Sequence, residues 1–316
     1  MRVSNTAASS GAGRRWPALP YDAWRATRDT LHLHTQVLGK LAACLAPPER
    51  QLGHSALHLS VRGWETSPLP APDGSGAFVV ALDLRAHAAV IEHSDGRTRE
   101  VPLVPDCAVG TVTRGVLRAV AELAGPVELA LRPQEVPWHR PLDEDGEHAT
   151  YDPEQVVAYF AAATRAAQVL TALRAPFLGR VSAVNAWWGA FDLAVTFFNG
   201  RPMAPASGDF ITRNSGDAEQ IAVGWWPGDL RYPRAAFYAY ALPANDRLAA
   251  SALAPPTHFE EGLGEFVLDW DDVVGSEDPF ALALDFGRRF VAQACEACGW
   301  DTVLTESALG VPPPVS

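Results

Sequence analysis

The chain has 316 residues, of which 48% are hydrophobic and 20% charged, an ordinary globular composition with material for a sizeable core and, at ~150 residues per domain, for one or two domains. Its formal net charge of −12, with no basic run longer than the pairs Arg14–Arg15 and Arg288–Arg289, excludes nucleic acid and an anionic membrane surface as expected partners, because both need a basic footprint. Four cysteines, Cys44, Cys107, Cys295 and Cys298, are too few for a disulfide scaffold, and no uninterrupted apolar run reaches the ~18 residues that span a bilayer.

Residues 1–15 lack the hydrophobic stretch of a secretory signal, so a disordered tail and a cytoplasmic protein are expected. Trp16-Pro-Ala-Leu-Pro20 docks that tail onto the fold. A helix is expected over 21–45, with Asp22 as N-cap and Pro47-Pro48 as the stop. Leu31, Leu38, Leu41 and Leu45 form its apolar stripe, and His32, Gln36 and Lys40, at i, i+4 and i+8, form one polar ridge. Lys40 is the one lysine among 25 basic residues.

Strands follow at about 56–62, 77–84 and 88–93, then the hairpin signal Asp95-Gly96 and a strand over 98–103. A helix over 108–123 ends at Gly125-Pro126, and 127–131 reads as a short strand. Residues 133–151 form an acidic, Pro-rich loop before Asp152-Pro153 caps a helix to about 173. Next come three alternating runs around 191–198, 221–226 and 236–241, which hold two Trp-Trp pairs and form an antiparallel sheet with an aromatic face. A strand over 263–268 and a helix from Asp278-Pro279 to Ala297, ended by Gly299, complete the fold before a disordered tail over 305–316.

These elements place the chain in the α+β class: antiparallel sheets flanked by long helices, in a single domain over 16–304. Leu57–Leu69 aligns without gaps on Phe191–Met203. This points to two related helix–β–β–β–helix halves, 16–132 and 152–304, linked by the acidic loop. In that alignment His58 matches Asp192.

Candidate chemistry is set by residue type. Asp192 lies in a very apolar strand with small neighbours on its face, Ala194 and Thr196. A buried carboxylate there is either paired or raised in pKa, which makes it a candidate general base. His32 and His148 are its candidate acid–base partners. Gln36, Lys40, Tyr151 and Glu219 are candidate polar contacts to a substrate. Trp188, Trp226 and Tyr238, and with them Trp187, Trp225 and Tyr240, are candidate aromatic walls, able to stack while offering a polar edge. Each has a structural alternative: the ridge as an exposed helix face, the acidic loop as a connector, the aromatics as core. Cys295-x-x-Cys298 has no second pair, so neither zinc nor redox chemistry is expected of it. No P-loop, GxGxxG, GxSxG or HExxH occurs, and no cofactor is assigned.

Several motifs occur together: Trp16-Pro-Ala-Leu-Pro-Tyr21, Asp29-Thr-Leu-His32, Gln36, Gly39-Lys40, Thr66-Ser-Pro68, Asp95-Gly-Arg97, Tyr151-Asp-Pro153, Gly189-Ala-Phe-Asp-Leu-Ala-Val195, Trp226-Pro-Gly228 and Ala236-Phe-Tyr-Ala-Tyr240. In combination they resemble the bacterial DUF5996 family over nearly the whole chain. The resemblance implies a bacterial protein and brings no activity, cofactor or catalytic residue with it. The family pattern carries His where this chain has Asn185, and His-Glu where it has Ala218-Glu219; the departures count against a metal site here. The expectation is an enzyme acting on a small polar or aromatic metabolite by acid–base chemistry in an aromatic-lined cleft. The alternatives are a non-catalytic small-molecule-binding protein and a homodimer formed through Trp-rich surface.

Overall fold

The computed structural model describes residues 15–204, 210–249 and 253–305; the two segments read as disordered tails fall, but for residues 15 and 305, outside them. The first helix, α1 (Tyr21–Leu45), has Pro20 rather than Asp22 at its N-cap position, and ends before Pro47. Every residue from Thr30 to Ala42 is buried. The polar ridge is therefore interior, and the reading of it as an exposed face does not hold. The expected strand over 56–62 is instead a hairpin, β1 (His58–Leu59) with β2 (Gly63–Glu65). Gly63 has φ +150°, and a Cβ there would strike the Leu82 carbonyl, so the turn needs glycine at this position.

After β3 (Leu69–Pro70), strands β4 (Ala77–Asp83), β5 (Ala88–His93) and β6 (Thr98–Pro102) continue an antiparallel meander, followed by α2 (Val109–Ala124). Residues 127–131 pair with no strand, although Val127, Leu129 and Leu131 pack against the core. The second half begins with α3 (Pro153–Arg174), whose N-cap Asp152 accepts from the Glu154 and Gln155 amides. It continues through β7 (Arg180–Val181), β8 (Asn185–Trp187), β9 (Asp192–Pro202), α4 (Phe210–Ser215), β10 (Ala218–Trp226) and β11 (Ala236–Leu242). Then follow α5 (Asp246–Ala249), β12 (His258–Glu260), β13 (Glu265–Asp269), α6 (Trp270–Gly275) and α7 (Pro279–Ala297).

The first sheet runs β1-β2-β4-β5-β6, with β3 on β4; the second runs β12-β13-β11-β10-β9-β7, with β8 on β9. Leu57 and Ala186 exchange both backbone hydrogen bonds, at 3.0 and 2.8 Å, and join the sheets at β1 and β8. Each half thus runs long helix, antiparallel meander, helix. The gapless alignment of 57–69 on 191–203 does not survive, because 57–65 is a hairpin whereas Asp192–Pro202 is one strand. In the strand order, β1–β2 corresponds to β8–β9.

Helices α1, α2, α3 and α7 pack on one face of this double sheet. The core lies between the layers: Trp64, Phe78, Val80 and Leu82 from the first half, and Leu193, Val195, Phe197, Ile221, Trp225, Phe237 and Phe266 from the second. Helix α3 is, among the described residues, the one helix long and apolar enough by length and composition to cross a membrane, although no unbroken apolar run marks it. Here its Val156, Tyr159, Ala163, Ala166 and Leu170 are buried in the core. Trp16 stacks on Trp270 with ring centres 5.0 Å apart, and the Trp270 indole donates to the Pro17 carbonyl at 2.8 Å. Alternation places the remaining residues of β9, β10 and β11 on the far face of the second sheet, away from the helices.

Candidate functional site

The far face is hollow. Residues at its centre are small: Ala194 and Thr196 on β9, with Ala222 and Gly224 paired opposite them on β10. Large aromatics stand around this gap, and the result is a cleft of about 950 Å³. Tyr238 on β11 pairs with Gly224, and its ring lies where a Cβ at that position would be. It therefore crosses the whole of β10 and donates its hydroxyl to Asp192 Oδ2 on β9. Trp226 meets Tyr238 edge-on at 5.3 Å, and Tyr240 lies parallel to it at 6.2 Å.

Asp192 owes its position to the turn that precedes it. Phe191 sits at φ +62°, a conformation costly for a bulky side chain unless its surroundings impose it. They do so here: the Phe191 ring is stacked by His32 at 4.9 Å, Trp64 at 5.2 Å and Tyr159 at 5.1 Å. Helix α1 clamps the same turn from below. The His32 Nε2–H donates to the Trp188 and Gly189 carbonyls at 2.9 and 3.0 Å, which fixes the neutral tautomer protonated at that nitrogen. Gln36 donates to the Trp188 and Gln134 carbonyls and accepts from the Gln134 amide, each at 3.0 Å. Trp188 lies on Gly39, where a Cβ would collide with the indole, and donates to the Ser55 carbonyl at 3.0 Å. Lys40 Nζ lies 5.7 Å over the Trp188 ring. The interior ridge thus holds residues 187–191 and the Gln134–Glu135 segment over the cleft.

Two carboxyls in the cleft are held away from their ordinary ionisation. Burial pushes Asp192, 5% exposed, up to about 7, against the pull of the Tyr238 hydroxyl and with the charges of Glu135 and Glu265 adding to the rise. Burial likewise pushes Glu265, at the start of β13, up to about 7, opposed by Arg231. Asp229 is held low despite its burial, because Arg231 donates to its Oδ2 from Nε and Nη2 at 3.0 and 2.8 Å. Tyr238 and Tyr240 are pushed up by burial and stay protonated. Two carboxyls poised near neutrality beside a hydroxyl donor can exchange protons with a bound molecule.

The expected site residues divide sharply. Asp192, Trp188, Trp226 and Tyr238 all line the cleft. His32, Gln36 and Lys40 do not; they are buried behind the turn. Burial, with Arg28 nearby, drives His32 down to about 3, so it has neither the charge nor the access for proton transfer in the cleft. His148 is elsewhere. Its Nδ1 bonds Asp145 at 2.7 Å, its ring lies edge-on to Trp138 at 4.7 Å, and its carbonyl accepts from Val109 at the start of α2. The acidic loop thus serves as an anchor for α2. Tyr151 is buried and its hydroxyl bonds His87 Nδ1 at 3.0 Å. Glu219, at the start of β10, accepts from Asn199 Nδ2 at 2.6 Å and takes no part in the cleft wall.

Glu265, Tyr240 and Glu135 line the cleft as well; sequence reasoning offered Tyr240 among the aromatics and missed Glu265 and Glu135. Tyr240 had a signal, since it shares a strand face with Tyr238. Glu265 had a weaker one as the polar member of the alternating Glu265, Val267 face. Glu135 had none: it is placed by φ +58° in an irregular loop and by packing of its side chain where a Cβ on Gly189 would be. The Trp-rich stretch is not free surface. Trp188, Trp225 and Trp226 are buried within the one chain. Cys295 and Cys298 are free thiols, both pushed up by burial. Among the described residues no three His, Cys, Asp or Glu side chains converge as metal ligands.

The chain belongs to DUF5996, a family of unknown function whose model matches residues 16–307. No curated protein and no solved structure matches it.

Proposed function

We propose that this DUF5996 protein is an enzyme that takes a small polar or aromatic metabolite into the cleft and moves a proton on it with Asp192. The observation that carries this reading is the buried Asp192 carboxyl on the floor of a cleft of about 950 Å³, hydrogen-bonded by a tyrosine that reaches it across a neighbouring strand. A carboxyl near neutrality can accept or donate a proton at physiological pH, which an ordinary aspartate does poorly. Tyr238 stays protonated and steadies whichever form is present. Trp226 and Tyr240 offer ring faces and edges for orientation.

The second reading, non-catalytic binding in the same cleft, is favoured by one observation: neither His32 nor His148 reaches the cleft, so Asp192 lacks the histidine partner expected for it. Native mass spectrometry beside the denatured mass, followed by thermal-shift screening of metabolites, identifies the ligand. Turnover and binding are then measured separately for Asp192→Asn. Catalysis predicts that turnover falls by about 10²-fold or more while binding changes far less. Unchanged turnover removes the assignment of Asp192; binding without turnover in the unmodified chain supports the second reading.

A further inference from the structure

The charges lining the cleft narrow the class of ligand it can hold. At the Asp192 end the wall carries Asp192 and Glu265, with Glu135 close enough to act on both Asp192 and Arg231. Arg231, which lines the cleft and acts on Glu265, is ion-paired with Asp229. The other arginine of interest, Arg180, stacks 3.6 Å over Phe198 and donates to Gln51 at 2.6 Å. Phe198 is six residues along β9 from Asp192, on the order of 20 Å and about two Debye lengths at physiological salt. The Asp192 carboxyl accepts from the Tyr238 hydroxyl at Oδ2, and Glu265 feels Arg231 only through its charge. Asp192 is buried and lines the cleft. Tyr238, Tyr240, Trp226 and Trp187 line the same cleft, and aromatic rings attract organic cations.

Taking the cleft as the binding site proposed above, on which this assignment rests, we propose that it recognises an organic cation. The group is a primary ammonium or guanidinium on a small metabolite, seated between Asp192 and Glu265 against the Tyr238–Tyr240 wall. Such a group supplies positive charge at Asp192 and Glu265 beyond that of Arg231, which is paired with Asp229. It accepts hydrogen bonds from neither carboxyl and donates to both, so both ionise when it binds. A bare metal ion fits less well, because the carboxyls do not converge as ligands.

The test uses the full chain at low salt with three probes that share a ring and differ in charge: benzylamine, benzyl alcohol and benzoate. Intrinsic tryptophan fluorescence reports on the cleft through Trp226 and Trp187, and melting temperature reports stabilisation. Benzylamine is expected to bind at least tenfold more tightly than the alcohol, with benzoate weakest. Its affinity is expected to rise from pH 6 to pH 8, and to fall about tenfold in Glu265→Gln and in Asp192→Asn, the loss of one charge-assisted contact. Equal or tighter binding of benzyl alcohol or benzoate overturns the cation and leaves the cleft reading standing. Benzylamine binding unaffected by either substitution also overturns it. If no probe changes either signal, the cation inference falls, and failure of a broader neutral and anionic metabolite screen then takes the cleft reading with it.

Discussion

Replacing Asp192 by asparagine should stabilise the protein, and should do so only above acid pH. In the folded chain the carboxyl is moved from 3.8 to about 7. At ~1.4 kcal/mol per pH unit, its ionised form is therefore about 4 kcal/mol costlier folded than unfolded. The folded state holds a proton between those two values that the unfolded state has lost, so stability from this group is complete below pH 3.8 and declines as pH rises through 7. Asparagine keeps the shape, can accept from the Tyr238 hydroxyl and never ionises. After relaxation and water entry into the cleft, the gain at pH 8 should be on the order of 2–4 kcal/mol, a melting rise of roughly 3–6 °C for a chain this long. Urea unfolding followed by tryptophan fluorescence, on both proteins at pH 4, 6 and 8, isolates this one group as a difference and cancels the other titrations. A difference independent of pH, or a variant less stable than the parent at pH 8, would refute the idea that Asp192 is held near neutrality at a cost to the fold.

Gly224→Ala places a methyl group where the Tyr238 ring now lies. It should cost about 2–4 kcal/mol, the sum of an overpacked site and a buried Asp192 that loses its donor; urea unfolding within about 0.5 kcal/mol of the parent would show that the ring is not held there. His32, at about 3, should stay neutral from pH 5 to pH 8 in a ring-nitrogen NMR titration. Because the unfolded chain takes up that proton near 6.5 and the folded one does not, its contribution is present above 6.5 and is lost as pH falls towards 3; an imidazole titrating near 6.5 contradicts the buried clamp.

Much of the framework was readable because it follows from local chemistry. The bounds of α1 follow from its apolar stripe and the prolines after it, those of β5 from a short continuous apolar run before the Asp95-Gly96 turn, and those of α3 and α7 from Asp-Pro starts. The faces within each strand of the second sheet were readable for the same reason, alternation, and the register of β9, β10 and β11 then brings Asp192, Trp226 and Tyr238 to one side. What could not be read was depth. His32, Gln36 and Lys40 do fall on one ridge, as spacing requires, but periodicity says nothing of whether a second layer covers that ridge. Here the turn 187–191 covers it, and three polar side chains become the clamp behind the site. Glu135 and Glu265 come from a loop and from the sheet's far side, and only the closed tertiary structure brings them to Asp192.

The two sheets settle the charge of their outer faces differently. On the first sheet, Glu65 on β2 and Glu92 on β5 both bond one arginine, Arg62, at 3.0 and 2.6 Å, so the outer face neutralises itself. The outer face of the second sheet has Asp192 and Glu265 beside a hollow lined with rings, where Arg231 is paired with Asp229. A fold needs no such arrangement for stability, since burying carboxyls without a cation works against it. A single arginine would satisfy both, as Arg62 does next door. That Arg231 is committed to Asp229 while the cleft beside Asp192 and Glu265 stays open is the reason to look for a further positive charge on a ligand.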